Sequence, residues 1–594
     1  MKSLWRLRFY KYSHLHSNNN INIKMSHQKC FSSGAPRRYS YYVAPMIVAE
    51  PTRGLVDELI RLKITYLMPN RQVTLQSKLL SEDADWWEAY AHYVSDSEGI
   101  VRVSRDKSFG GTYKGQEPMG LIWSMKLAPG SRPGMRLRKK DVTVPYLITI
   151  SVYDGWISMN FDKRAVLASV VLERFYMAPG VTRIELNEEP VIGTMFFPPG
   201  PGPFPAILDM WGGGGGLVEY RAALLASRGF ATFALAYLGH KNVPRSLQTF
   251  DPNLSYFKEA FNILNNHAKV SKGNVAILGL SLGFTLALLM ATEIPNIHPK
   301  CLVCISGSHY KGLLEGQPVI FPDFHKDENK IKITEDGSVI WRNIPLPFPD
   351  DPKRMVQVDK IRCPMMLIFG EDDQNWPAPE SAVEIQKVLK AAGKEHLLTT
   401  LAYPQTGHLI EPPYSPHFRK SKFKVPSSDK AVTVLWGGEA KPHSDAQEDS
   451  WKKILVFLEE HLVSHHPVAV TQSKLYSGSA TFLVTSHPGG RDGGHDPTSD
   501  EEALSLVLTT AVTSSDSQTT LRLVLLPYNV LQRWDMHVVS HQGNWTADRT
   551  RRKGNTYANS KRARSHARTW QFSSQLFNFP PVLYPRASDC VSGF

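Results

Sequence analysis

The chain has 594 residues, enough for two or more domains with a core in each. Its formal charge of +13 belongs to the ends: residues 1–49 hold eight Lys/Arg and no acid, residues 466–594 hold thirteen Lys/Arg against nine Asp/Glu, and residues 50–465 are left at +1. A near-neutral body argues against nucleic acid as the ligand, five scattered cysteines argue against a disulfide framework and for a reducing compartment, and no apolar run is long enough for a transmembrane helix.

Residues 1–43 are rich in Arg, Lys, Ser and Asn and have no acid, which fits a mitochondrial transit peptide. The competing reading is a mispredicted leader with Met25 or Met46 as the start. A mitochondrial matrix location is therefore expected, with cytosol or peroxisome as alternatives.

Residues 44–178 predict a β-sandwich. Val73–Leu80, Glu88–Tyr93 and Ile148–Tyr153 alternate apolar with polar residues, wholly or in part, and turn clusters such as Asp96-Ser-Glu-Gly99 separate them. Trp86, Trp87 and Trp123 are expected in a core or an interface. Residues 179–204 are expected to connect, with some strand character, through the Pro/Gly run that ends at Pro203.

Residues 205–465 alternate. Strands are predicted at Ala206–Met210, Phe230–Tyr237, Val275–Leu278, Cys301–Ser306, Met365–Phe369 and Leu397–Tyr403. Helices are predicted at Tyr220–Arg228, Leu254–His267, Phe284–Thr292, Ala378–Ala392 and Trp451–Leu462. Near-continuous apolar strands between amphipathic helices imply a parallel sheet covered on both faces. Residues 309–355 interrupt the alternation and are expected to cover the site. Cys301 and Cys304 have the C-x-x-C spacing, but on a strand such positions face opposite sides, so a buried pair is expected rather than a redox or zinc site. Residues 466–594 show weak periodicity and are expected to be a disordered extension or an aberrant translated end; the competing reading is a basic arm for an acidic partner.

The chemistry concentrates after the strand Val275–Leu278. Gly279-Leu-Ser281-Leu-Gly283 between a strand and a helix is the context of a nucleophile elbow. Serine needs a base, and the base needs an orienting acid. In this fold the order is Ser, acid, His. Glu371-Asp-Asp373 follows the strand Met365–Phe369, and His408 follows Leu397–Tyr403. Spacing alone leaves Glu371, Asp372 and Asp373 open for the acid. The oxyanion hole would take the N–H of Leu282 and an N–H from the loop Trp211-Gly212-Gly213-Gly-Gly-Gly216. That loop lacks the Gly-Lys-Ser/Thr of a phosphate loop.

Several stretches carry a family likeness: Gly110-Gly-Thr-Tyr-Lys-Gly-Gln-Glu-Pro-Met-Gly-Leu-Ile-Trp123, Ala178-Pro-Gly-Val-Thr-Arg183, Gly200–Pro205, Glu219-Tyr-Arg-Ala222, Phe230–Tyr237, Gly407-His-Leu-Ile-Glu-Pro-Pro-Tyr-Ser-Pro416 and Trp436-Gly-Gly-Glu439. Over residues 44–463 the chain resembles the type I acyl-CoA thioesterase and bile acid-CoA:amino acid N-acyltransferase family. The resemblance implies an α/β fold, with a β-sandwich preceding an α/β-hydrolase domain. It implies a nucleophile–Asp–His triad acting on acyl-CoA, and it selects Asp373 as the acid. Serine at the elbow favours hydrolysis, whereas the well-known conjugating members carry Cys; the flanks at Ala178–Arg183 and His408-Leu-Ile lean toward that conjugating branch. The expectation is an acyl-CoA thioesterase using Ser281, Asp373 and His408, with Leu282, Gly212 and Gly213 around the oxyanion. The alternatives are N-acyl transfer to an amino acid, a general carboxylesterase, or a binding protein without activity. No cofactor, no metal and no obligatory protein partner are expected.

Overall fold

A computed structural model describes residues 43–187, 190–243, 254–314, 317–319, 328–424 and 431–463, and the strands Ala480–Leu483 and Val507–Thr510. All but the last residue of the leader expected at residues 1–43, and most of the tail expected at 466–594, lie outside the described residues.

Alternating residues build two sheets in the N-terminal part. Strands β1 (Met46–Glu50), β3 (Arg61–Thr65) and β6 (Val101–Arg102) form one antiparallel sheet. The other runs in the order β2-β9-β8-β4-β5-β7, from β2 (Arg53–Leu55), β4 (Gln72–Leu80), β5 (Trp86–Val94), β7 (Lys126–Leu127), β8 (Tyr146–Asp154) and β9 (Val166–Phe175). β5 alternates buried with half-buried residues as expected of a strand covered on one face. Central β4 is buried on both faces, so its polar Thr74 and Gln76 bond to the Gly155 carbonyl (2.8 Å) and to Glu88 (2.8 Å).

A third sheet has eight strands: β10 (Thr182–Leu186), β11 (Gly193–Phe197), β12 (Phe204–Met210), β13 (Ala231–Leu235), β14 (Val270–Leu280), β15 (Leu302–Ile305), β16 (Met365–Gly370) and β17 (Leu398–Tyr403). Their order is β10-β11-β13-β12-β14-β15-β16-β17. The two junctions made by β11 are antiparallel and the rest are parallel. The stretch 179–204 therefore does more than connect: β10 and β11 extend the sheet at one edge. β10 is mostly exposed, and its short alternation gave little sign of which sheet it would join.

Alternate residues of the parallel strands divide between two cores. Ile207, Ala276, Leu278, Leu280 and Val303 face one side; Ala206, Leu208, Val275, Ile277 and Leu302 face the other. Helices α1 (Tyr220–Ala226) and α5 (Ala440–Leu462) cover the first face, and α2 (Leu254–Asn265), α3 (Leu282–Glu293) and α4 (Ala378–Ala391) the second. This is an α/β-hydrolase arrangement behind a β-sandwich. Cys301 and Cys304 fall in opposite cores, each fully buried with its thiol pushed up by desolvation. Among the described residues no helix is long and apolar enough to cross a membrane.

The core on the first face continues into the sandwich without interruption. Polar bonds fix the register of the two domains. Asp57, from the sandwich side, takes the guanidinium of Arg228 at Nε (2.8 Å) and the indole N–H of Trp451 (3.0 Å). Trp87 meets Phe418 edge-on at 5.5 Å, so this tryptophan sits at the interface as expected; Trp123 is buried, and Trp86 is exposed beneath Lys78. Asp57→Ala leaves the Trp451 N–H unpaired and Arg228 with only the longer Glu58 contact (3.8 Å) in a mostly buried junction, and is expected to cost about 3 kcal/mol. Lys78→Ala, at the surface, is expected to cost less than about 1 kcal/mol. Denaturant midpoints of the two variants check this ordering.

Candidate active site

Parallel strands place their C-terminal ends along one edge of the sheet. Four of them end just before a predicted site residue: β12 before Gly212, β14 before Ser281, β16 before Asp373 and β17 before His408. The fold thus gathers on one edge what the sequence spreads over nearly 200 positions.

Ser281 stands between β14 and α3 with φ 59° and ψ −117°, outside the comfortable regions for a residue with a side chain. Its N–H donates to the Ile305 carbonyl at 2.8 Å, and its carbonyl accepts the Phe284 N–H at 3.0 Å. A side chain at Gly279 would collide with the Gly283 carbonyl, which is why the turn needs glycine there. Ser281 and His408 line one cavity of about 550 Å³. Gly212 and Gly213 line it too. A Cβ at Gly212 would lie 2.8 Å from the Ser281 Cβ and 3.1 Å from its Oγ, so only glycine lets the backbone come this close. Leu282 is buried at the first turn of α3, with its N–H among the unpaired donors of a helix start.

The three carboxylates that spacing leaves open differ in their contacts. Asp373 is fully buried; its Oδ2 takes Nδ1–H of His408 at 2.8 Å, and its Oδ1 takes the N–H groups of Asn375 (2.8 Å) and Trp376 (2.9 Å). Three donors hold the carboxylate, and His408 keeps Nε2 as the acceptor. Asp372 turns elsewhere. Burial would raise its carboxyl, but the Gly438 N–H (2.7 Å), the Gln374 amide (2.6 Å) and Arg419 (3.1 Å) hold it below its ordinary value. Glu371 is exposed.

Three further features were not read from the sequence. The Trp436 ring lies parallel to the His408 ring, 5.6 Å between centroids, and the Trp436 carbonyl takes the His408 N–H at 2.9 Å. Arg136, from the sandwich domain, stands over Trp436 at 5.8 Å and pairs with Glu411. His443, buried in the first turn of α5, accepts the Gly407 N–H at Nδ1 (3.2 Å) and donates from Nε2 to the Leu409 carbonyl (2.7 Å). It brackets the His408 loop on both sides. Trp436 and Glu411 lay in stretches that carry the family likeness. His443 lay in a part of α5 where no helix was expected, because that face is buried yet polar: His443, Ser444, Gln447 and Ser450. Pro442 in the first turn was the available signal.

Residues 57–188 match the acyl-CoA thioester hydrolase/BAAT N-terminal region, and residues 253–464 match the BAAT/acyl-CoA thioester hydrolase C-terminal region. The chain belongs to this acyl-CoA thioester hydrolase/BAAT family. It is 38% identical to acyl-coenzyme A thioesterase 3 of Mus musculus over 73% of this chain and 97% of that one. It is 37% identical to acyl-coenzyme A thioesterase 1 of Homo sapiens, over 71% of this chain and 98% of that one. It is 38% identical to the peroxisomal succinyl-coenzyme A thioesterase of Mus musculus, over 71% and 98%. In this member of the acyl-CoA thioester hydrolase/BAAT family, Ser281, Asp373 and His408 all fall within the matched C-terminal region.

Desolvation pushes His443 down to about 3, and His309, buried beside Ser381, down to about 4. Both imidazoles are neutral in the folded chain and protonate on unfolding below about pH 6.5. The unfolded state then binds more protons, so stability is fully present above pH 6.5 and falls as pH drops toward 4, by up to about 1.4 kcal/mol per pH unit for each histidine. His443→Asn is expected to flatten this fall while lowering turnover about 10–100-fold, through the loosened His408 loop. Melting temperatures from pH 7.5 to 5, with rates at pH 7.5, test both.

Proposed function

We propose that the chain hydrolyses acyl-CoA to free acid and CoA through Ser281, His408 and Asp373. The observation that carries this reading is the buried Asp373–His408 hydrogen bond on the same cavity as a serine held at an elbow. The relatives' names supply the substrate class.

His408 Nε2 takes the proton of Ser281 as Oγ attacks the thioester carbonyl. Asp373 keeps Nδ1–H pointed at itself and stabilises the imidazolium that forms. The parallel Trp436 face adds attraction for that transient cation. The carbonyl oxygen becomes an oxyanion next to the Leu282 N–H and the backbone at Gly212 and Gly213, which needs no rearrangement to receive it. Collapse breaks the C–S bond, and the His408 imidazolium gives its proton to the departing sulfur, so CoA leaves as the thiol and Nε2 is free again. Water, losing a proton to His408, then attacks the acyl-serine and frees the acid. The basic, acid-free first 43 residues support a mitochondrial matrix address, which imaging of the chain with and without them would test.

Ser281→Ala is expected to lower turnover by at least about 10⁴-fold with the melting temperature retained. Asp373→Asn is expected to cost far more than Asp372→Asn; the reverse would move the acid role to Asp372. An acyl-serine is an oxygen ester and is open to activated water, so wild type is expected to release mostly free acid even with abundant glycine or taurine. Chromatography of the products decides this, and mainly conjugated product would replace hydrolysis with N-acyl transfer.

A further inference from the structure

The lining of the Ser281 cavity is strongly basic. Arg136, Arg138, Lys139, Lys140, Lys422 and Lys424 line it, against the single carboxylate Asp83. Three of these cations are used in holding the wall together. Arg136 pairs with Glu411, buried Lys139 with Glu82 (2.6 Å), and Lys140 with Asp83 (2.5 Å). Arg138 and Lys422 have no carboxylate partner among the described residues. They come from different domains, Arg138 from the loop before β8 and Lys422 from the strand Lys420–Lys424. The two segments are nevertheless bound to each other: the Lys422 N–H donates to the Gly134 carbonyl at 2.9 Å. The fold therefore brings positive charge without a carboxylate partner from two domains to the lining of one cavity. Such charge leaves a positive potential that a bound anion relieves. A guanidinium and an ammonium on one cavity both suit phosphate oxygens.

We infer that Arg138 and Lys422 bind the phosphates of the 3′-phosphorylated nucleotide end of coenzyme A, fixing the substrate by its leaving group while Ser281 meets the thioester. This rests on the proposed acyl-CoA hydrolysis. It assigns the basic rim a role in binding, separate from the triad: the rim reads the nucleotide and is indifferent to the acyl group. The phosphates are remote from the reacting bond, so their contacts are shared by ground state and transition state and act on KM.

The test uses the full chain and two thioesters with the same acyl group, one on coenzyme A and one on pantetheine, which lacks the phosphorylated nucleotide. The readout is the ratio of kcat/KM for the CoA thioester to that for the pantetheine thioester. In Arg138→Gln/Lys422→Gln this ratio is expected to fall about 10–100-fold relative to wild type, through KM for the CoA thioester. An unchanged ratio overturns the assignment, whether or not both rates fall together. If wild type cleaves neither thioester, the hydrolase reading fails, and the rim is judged by calorimetry with coenzyme A and with pantetheine. Coenzyme A binding wild type at least tenfold more tightly than pantetheine, with the difference lost in the double variant, upholds the phosphate site. Equal binding of the two overturns it.

Discussion

A serine held at φ 59° and ψ −117° costs about 1–3 kcal/mol and persists only where its surroundings leave no alternative. Much of this structure supplies those surroundings. β14 and α3 are buried on both sides of the turn, Gly279 lets the turn close, and the Ile305 and Phe284 backbone bonds pin Ser281 at both ends. Because β14 lies centrally in the sheet, relaxing the elbow would disturb two cores at once. The strain is thus carried by packing far larger than itself, and the hydroxyl is presented to the cavity without its own anchoring bond being needed.

The orientation of His408 has a different physical origin. Asp373 takes its Nδ1–H, but the loop is positioned by further groups: His443 bonded to it, Trp436 beside it and Arg136 over Trp436. His443 can do this because it stays neutral when buried; a protonated imidazole would lose its acceptor and the Gly407 N–H with it. The cationic loop that supplies Arg136 also carries Arg138, so one segment of the sandwich domain both props the His408 loop and forms part of the basic wall.

Much of this was legible in the sequence. The strands of the hydrolase sheet from Ala206 onward were readable because they are continuous apolar runs between amphipathic helices, and the elbow was readable because glycine, serine and glycine follow one of them. The order Ser281, acid, His408 followed from the topology. The choice of Asp373 over Asp372 did not follow from spacing, because adjacent carboxylates differ only in which way the backbone turns; there the family likeness chose and the hydrogen bonds agree with it. Where residues 179–204 would go was not legible, since β10 is a mostly exposed edge strand whose pattern suits several partners. The start of α5 was not legible for the opposite reason: its first three turns bury polar side chains, which periodicity counts as solvent-facing.

The contact of Arg136 with Glu411 and Trp436 has a consequence for how the two parts of the chain can be exchanged. A side chain from the sandwich supports the loop that carries His408, and the Lys422–Gly134 bond ties the two parts together. Replacing Arg136 or Glu411 alone leaves the other charge without its partner in a mostly buried contact. A foreign sandwich grafted in front of this sheet would therefore deprive the His408 loop of its prop even if both halves folded.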